Sequence, residues 1–300
     1  MSYLEELFAA GLLLPSGVDG LYGRGAVFEA VVLALDQAVT RIGADQGAEV
    51  MRFPPAMTRA QLERSGYLKG FPHLAGTVHC FCGNERDHQE LLRCVEAGED
   101  WTARQQASEI ALVPAACYPI YPVMAGRGAL PVGGATVDVL SYCFRHEPSL
   151  DPMRMQMFRM REYVRLGGPQ DVRNFREEWI ARGRSLVERL ELPVTIEVAN
   201  DPFFGRRGKI MGESQRAEAL KFELLVPITN PQVPAACLSF NYHRDHFGQT
   251  WGLRQADGEP AHTACVGFGL ERLTLALLHH HGFDPGTWPS GVRNTLEFAA

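Results

Sequence analysis

Long apolar runs are absent: nothing in the 300 residues approaches the roughly 18 that a membrane-spanning helix requires. The start, Met1-Ser2-Tyr3-Leu4-Glu5-Glu6, is acidic, and Leu12-Leu13-Leu14-Pro15 is too short an apolar core for a secretory signal. The expectation is a cytoplasmic protein without a membrane partner. Cysteine is scarce as well. Seven cysteines, an odd number, exclude a disulfide framework and leave reduced thiols or metal ligands. Positive charge is not in excess: 29 Lys and Arg face 35 Asp and Glu, a net charge of −6. That balance argues against the broad basic surface with which proteins grip nucleic-acid phosphates. No internal repeat, low-complexity tract or Gly/Ser linker divides the chain. What is present, 46% hydrophobic and 21% charged residues, describes a globular protein able to bury a substantial core.

Periodicity predicts a helix over residues 26–42, where Val27, Val31, Leu35 and Val39 recur at a spacing of four. Met51-Arg52-Phe53-Pro54-Pro55 reads as a short strand stopped by two prolines. Residues 87–96 and 101–112 are expected to be helical. Residues 137–145 and 155–164 read as the two strands of a hairpin, joined by turn chemistry at Glu147-Pro148-Ser149-Leu150-Asp151-Pro152. A charged helix follows over 172–190, with Phe175, Trp179, Leu186 and Leu190 as its apolar stripe. Further strands are expected at 195–199, 219–226 and 235–242. A last strand at 263–269 passes through two glycines into a helix at 270–278. This mixture predicts an α+β fold, an antiparallel β-sheet flanked by helices, and not alternating βαβ units.

Two segments carry chemistry. Arg145, in Phe144-Arg145-His146-Glu147, is costly in a sheet hairpin unless an anion pairs with it, and a guanidinium suits phosphate. Arg154 and Phe158 follow, then Glu162; an aromatic there can stack on a purine ring. A surface hairpin with scattered ion pairs is the competing reading. In Gly267-Phe268-Gly269-Leu270-Glu271-Arg272, a cation near a helix start opposes the dipole, and an anionic ligand would offset that. An exposed arginine at a plain helix start is the alternative.

Together, Phe144-Arg145-x-Glu147, Arg154-x-x-x-Phe158-x-x-x-Glu162 and Gly267-x-Gly269-x-x-Arg272 resemble motifs 2 and 3 of class II aminoacyl-tRNA synthetases. Phe53-Pro54-Pro55 after a helix resembles motif 1, which in that family forms the dimer interface, and so implies a homodimer. The resemblance implies a class II catalytic core in which Arg145 binds the α-phosphate and Glu147 lies near the adenine amino group. In it Phe158 stacks on adenine and Arg272 takes the γ-phosphate, with Arg154 and Met155 in the same ATP-binding loop. Lys221 and the strand carrying Ala236, Cys237 and Ser239 would complete the ATP and amino-acid pocket. Cys117, Glu162 and Cys265 look like the zinc site of the atypical seryl-tRNA synthetases of methanogenic archaea, and Asn200-Asp201-Pro202-Phe203-Phe204 fits the same group. Three protein ligands leave zinc an open position. In that family it takes the amino group of the amino acid, with Glu162 as a nearby acceptor.

Those synthetases carry an N-terminal tRNA-binding domain for which residues 1–300 leave no room beside a single catalytic domain. The match therefore narrows to the bacterial amino acid:[carrier protein] ligases, across roughly Gly23 to Leu296. They activate a small amino acid, glycine or alanine, with ATP and load it onto the phosphopantetheine thiol of an acyl-carrier-like protein. The implied cofactors are one Zn²⁺ per subunit and Mg²⁺, with ATP as co-substrate and no tRNA partner. Many class II enzymes have an acidic Mg²⁺ ligand where Gln232-Val233-Pro234 stands here, so the Mg²⁺ ligands stay unassigned. The open alternatives are a synthetase-like enzyme acting on tRNA with a partner, and a non-catalytic paralogue that binds amino acid and ATP.

Other features are weighed beside these. His73, His79, Cys80, Cys82 and His88 form a rival metal-ligand cluster, though without Cys-x2-Cys spacing. His279-His280-His281 reads as a helix end, where His suits the dipole. Cys94 and Cys143 are expected to be packed thiols. Because carrier proteins are usually acidic, the basic run Gly205-Arg206-Arg207-Gly208-Lys209 is a candidate docking surface; Arg173, Arg176, Arg182 and Arg184 form a second.

Overall fold

Side chains that alternate along extended strands give the centre of the molecule two chemically different faces. The computed structural model describes residues 1–230 and 232–298. Its main sheet contains β1 (Glu49–Arg52), β2 (Ala135–Phe144), β3 (Met157–Gly167), β4 (Thr195–Val198), β5 (Lys221–Val226), β6 (Ala235–Arg244) and β7 (His262–Gly269). Their order across the sheet is β1-β2-β3-β7-β6-β5-β4. Every neighbouring pair is antiparallel except β1 with β2 at the edge, which is parallel. The helices that shape the site are α1 (Ala26–Ile42), α2 (Ile120–Gly126), α3 (Pro169–Arg189), α4 (Gly205–Ala217), α5 (His246–Trp251) and α6 (Leu270–His281).

On the back face, Leu238 and Phe240 of β6 and Val266 and Phe268 of β7 join one buried core with α1, α3 and α6. Trp179 of α3 is fully buried there, 4.5 Å from the Tyr163 ring and 6.0 Å from Phe268. Val31, Leu35 and Val39 of α1 are buried as their spacing predicts, with Phe28 and Val32 beside them, while Val27 faces out. The odd positions of β3 put charge into this apolar layer, and each charge is answered. Arg159 donates to both carboxylate oxygens of Glu29 on α1 at 2.7 Å and to Glu271 on α6 at 2.8 Å. Its backbone N–H donates to the other Glu271 oxygen at 2.7 Å, and Arg24 lies 3.2 Å from that carboxylate. Arg161 spans both oxygens of Asp138 on β2 and reaches Asp36 on α1.

Most expected elements form within a few residues of their expected limits, and one does not. Residues 101–112 are not a helix: Trp101–Arg104 is a short 3₁₀ turn and Gln105–Leu112 is a strand. It lies between Ala56–Thr58 and Thr77–Phe81 in a separate three-stranded sheet. Helix-compatible residues there are overridden by pairing with strands distant in sequence. The triple histidine does close α6, but its side chains reach beyond the helix. His280 Nε2 meets Pro227 O at 2.7 Å and His281 Nε2 meets Leu190 O at 2.9 Å. Cys94 and Cys143 are buried, as expected of packed thiols.

Removing Glu271 would leave two guanidinium groups without their shared buried partner. Glu271→Ala is therefore expected to cost about 3–5 kcal/mol of unfolding free energy, read as a shift of the urea midpoint at unchanged slope.

Candidate active site

The front face of the sheet floors a cavity of about 690 Å³. Its floor is the even positions of β3 (Phe158, Met160 and Glu162), the odd positions of β7 (Cys265, Gly267 and Gly269) and Ser239, Asn241 and His243 of β6. Strand register brings them into rows: Ser239 opposite Gly267 opposite Glu162, and Asn241 opposite Cys265. Gly267 keeps the floor low, since a Cβ there would stand 3.3 Å from Ser239 Oγ and in van der Waals contact with Glu162 Cγ at 3.8 Å. Cys117 enters from the loop just ahead of α2.

Cys117, Glu162 and Cys265 meet at one end of the cavity, all buried, with their ligand atoms within 4.8 Å of one another. The Cys117 backbone N–H donates to Glu162 Oε1 at 3.1 Å. Asn241 Nδ2 lies 3.4 Å from the Cys265 sulfur, and His243 Nε2 lies 3.6 Å from it. Burial, then the charge of Cys265, pushes the Glu162 carboxyl up to about 8. The Cys117 thiol, then His243 and Asn241, hold Cys265 well below the ordinary thiol range, while Cys117 goes well above it because it donates to Cys265 and is buried. Two sulfurs and a carboxylate this close cannot all ionise together unless a cation joins them. The donor set is one that a divalent transition metal takes, with three protein ligands and a position left open.

At the other end, the Arg145 guanidinium lies 5.4 Å over the Phe158 ring and its Nε donates to Pro114 O at 3.1 Å. Arg272, in the first turn of α6, donates to Met153 O at 2.8 Å and Ala236 O at 2.9 Å. Those carbonyls explain how the fold tolerates a cation at a helix start. Burial lowers the Arg272 pKa, and the nearby Arg145 charge adds to that. Two cations of like sign facing one half-buried space are best satisfied by a polyanion. Glu147 and Met155 line the cavity too.

Lys221 lies in the wall but is already paired. Its Nζ is 2.6 Å from Asp201 and 2.8 Å from Glu223. Gln215 of α4 donates to the second Asp201 oxygen at 2.8 Å and accepts the Asp201 N–H at 2.7 Å. Burial works against it, but Lys221 and Gln215 still hold the Asp201 carboxyl below its usual range. The 199–204 loop and α4 are thereby tied to β5, and Phe203 stacks on Phe71 with centroids 4.9 Å apart.

Residues separated by nearly the whole sequence thus share one cavity: Cys117, Arg145, Glu147, Met155, Phe158, Glu162, Lys221, Ala236, Cys237, Ser239, Cys265 and Arg272 all line it. Arg154 does not. It sits on the exposed loop, 3.6 Å from Glu147 and 4.0 Å from Asp151. Burial pushes the Cys237 thiol up to about 12, so the residue offers the site its backbone and bulk. The rival ligands do not gather: Cys80 and Cys82 are exposed, and among the described residues only the Cys117 cluster brings three such groups together. The 232–234 stretch does not line the cavity. Asn241 and His243 escape a motif reading, although strand alternation from Ser239 points to them; Asp201 is visible only as part of its loop motif.

No protein-family model matches the chain. It is 50% identical over 280 residues to amino acid--[acyl-carrier-protein] ligase 1 of Bradyrhizobium diazoefficiens, covering 93% of this chain and 86% of that protein. It is 25% identical over 295 residues to the type-2 serine--tRNA ligase of Methanopyrus kandleri, covering 91% of this chain and 55% of that one. Its fold matches M. kandleri SerRS, solved with A. aeolicus tRNASec, at a TM-score of 0.83 with 21% identity, covering 99% of this chain and 60% of that one. A mostly antiparallel sheet with this cavity on one face is therefore a class II synthetase-like core, and the chain is a ligase that belongs to the family of amino acid--[acyl-carrier-protein] ligases.

Proposed function

We propose that this chain activates a small amino acid, glycine or alanine, with ATP and passes it to the phosphopantetheine thiol of an acyl-carrier-like protein. One observation carries the reading: a buried Cys–Glu–Cys cluster and an arginine–phenylalanine–arginine set line a single cavity, with Phe158 and Glu162 four residues apart along β3. On this reading the amino acid carboxylate attacks the α-phosphorus of ATP and pyrophosphate leaves. The carrier thiol then attacks the carbonyl of the aminoacyl-adenylate and AMP leaves. The protein's part is positioning and charge stabilisation. Phe158 stacks on adenine, with Glu147 beside its amino group. Arg145 stabilises charge on the α-phosphate, and Arg272 holds the terminal phosphates of an ATP that enters as its Mg²⁺ chelate.

Cys117, Glu162 and Cys265 would hold one Zn²⁺ per subunit. Bound there, it would supply a Lewis-acidic position for the substrate's α-amino group. Tyr67, Tyr118 and Phe247 are bulky groups on the cavity wall. Residues 1–300 are read as one catalytic unit. A homodimer is supported by apolar side chains left exposed on α1 and β1, namely Val27, Leu33 and Val50. Among the described residues no helix is long and apolar enough to cross a membrane, consistent with a cytoplasmic enzyme.

For the carrier, the first docking candidate is favoured. Arg206 and Lys209 are exposed on α4, beside exposed Phe204, Ile210 and Met211; the Arg207 side chain lies outside the described residues. The second candidate is largely engaged: Arg176 holds Ala219 O and Glu177, Arg182 holds Asp45 and Glu178, and Arg184 lies 3.8 Å from Glu188. Arginines already paired or buried have less to offer an acidic partner.

Amino-acid-dependent ATP–pyrophosphate exchange, tried with each amino acid, tests the first step, and transfer to carrier or to tRNA tests the second. No exchange with any amino acid would remove the ligase reading; transfer to tRNA alone would reassign the acceptor. Arg145→Ala is expected to lower the exchange rate on the order of 10²–10³-fold. Stripping metal with a chelator should abolish exchange and added Zn²⁺ should restore it, with protein metal content measured alongside. Reversing charge with Arg206→Glu and Lys209→Glu should raise the KM for carrier about tenfold or more and leave exchange untouched; unchanged carrier loading would discard this docking face.

A further inference from the structure

One arginine at the rim of the cavity is held on a costly backbone. Arg244 closes β6 with φ +54°, in the left-handed region, and the β6–β7 register shifts between Tyr242 and Arg244. That conformation costs a residue with a side chain about 1–2 kcal/mol, and such outliers concentrate where ligands are held. A register shift also re-aims the side chain that follows it. Arg244 lines the cavity and is exposed. Its one carboxylate partner among the described residues is Glu218, where α4 ends. Ser214 of α4 in turn donates to Glu218 at 2.9 Å.

A second arginine reaches the same edge of the sheet from α3. Arg173 lies 5.7 Å over the Tyr242 ring. It donates to the Tyr242 hydroxyl at 3.3 Å and to Gln170 at 3.0 Å, and among the described residues no carboxylate pairs with it. The Tyr242 hydroxyl also meets His262 Nδ1 at 2.6 Å. Burial lowers the His262 pKa, and the charges of Arg173 and Arg244 add to that against Asp245. Asp245 is engaged by Gln249 of α5 at 3.2 Å and does not line the cavity. The corner therefore offers two guanidinium groups to an anion.

The phosphates of ATP are too far away to be that anion. Arg272 is held by the carbonyl of Ala236, eight residues before Arg244 on β6, and an extended strand covers about 25 Å in that interval. Ser239 and Asn241 lie between them. Glu218 joins the corner to α4, the helix favoured above for carrier docking.

We propose that Arg244 and Arg173 bind the phosphodiester of the carrier's phosphopantetheine arm at the cavity rim, so that the arm runs along β6 past Asn241 and brings its thiol to the activated carbonyl. The inference rests on the carrier protein as acceptor and goes beyond that reading by assigning the arm's entrance and its phosphate ligands. The two unesterified oxygens of a phosphodiester suit paired guanidinium groups.

Arg173→Gln combined with Arg244→Asn removes both charges, and asparagine tolerates the left-handed backbone. Arg173→Lys combined with Arg244→Lys keeps them. Loading of a holo-carrier that wild type accepts is measured for all three proteins, with free phosphopantetheine, or pantetheine, which lacks the phosphate, added as competitor. The neutral variant is expected to lose about tenfold or more in kcat/KM for the carrier, and the lysine variant to recover part of that loss. In wild type, phosphopantetheine should compete at concentrations about tenfold or more below those of pantetheine, and the neutral variant should lose this difference. Unchanged loading by the neutral variant would overturn the inference, as would a loss that the lysines do not recover. A competitor difference absent from wild type, or surviving in the neutral variant, would overturn it too. A wild type that catalyses ATP–pyrophosphate exchange and loads no carrier would overturn the carrier reading itself, an outcome distinct from failure of the phosphate site alone.

Discussion

Arg159 holds the three motif-bearing parts of the molecule together. From the back of β3 it binds Glu29 on α1 and Glu271 on α6, and its own backbone N–H completes the second bond to Glu271. The network is buried, so it is strong only while every member is present. What it fixes is geometry. β3 carries Phe158 and Glu162 on its other face, and α6 carries Arg272 immediately after Glu271. A clamp behind the sheet thereby sets the distance between the aromatic and cationic groups in front of it.

The cavity is asymmetric in charge for a reason that follows from its walls. One end collects groups that become anionic, and the other collects guanidinium groups held by backbone carbonyls. Neither end is comfortable alone: the first keeps protons, and the second crowds like charges. A cation at one end and a polyphosphate at the other relieve both. On the proposed reading, an amino acid bound beside ATP would span the two and supply at each end what the fold leaves unsatisfied. This is differential stabilisation built from ordinary burial costs.

Between the ends, Asp201 links the 199–204 loop, Gln215 of α4 and Lys221 of β5. The motif reading of Lys221 as an ATP-site residue has to accommodate that pairing: with two carboxylates against it, its charge is spent on holding the wall. Arg154, by contrast, has little holding it. An exposed loop arginine with long-distance ion pairs contributes little to stability and is free to follow a ligand.

The sequence alone determined which residues alternate and which chemistry they carry. The spacing from Phe158 to Glu162, and from Cys265 through Gly267 into the helix bearing Arg272, already commits these side chains to common faces, since extended strands repeat every two residues. It also fixed the α+β class and the main hairpin. It could not decide pairing. The 105–112 strand depends on contacts between segments far apart in the chain, which local propensity does not encode; the gathering of Cys117 with Glu162 and Cys265 depends on such contacts too and is legible only through the family resemblance. The donors to Cys265 and the engagement of Lys221 are likewise tertiary. Each is a matter of which neighbour a buried polar atom meets, and only packing settles that.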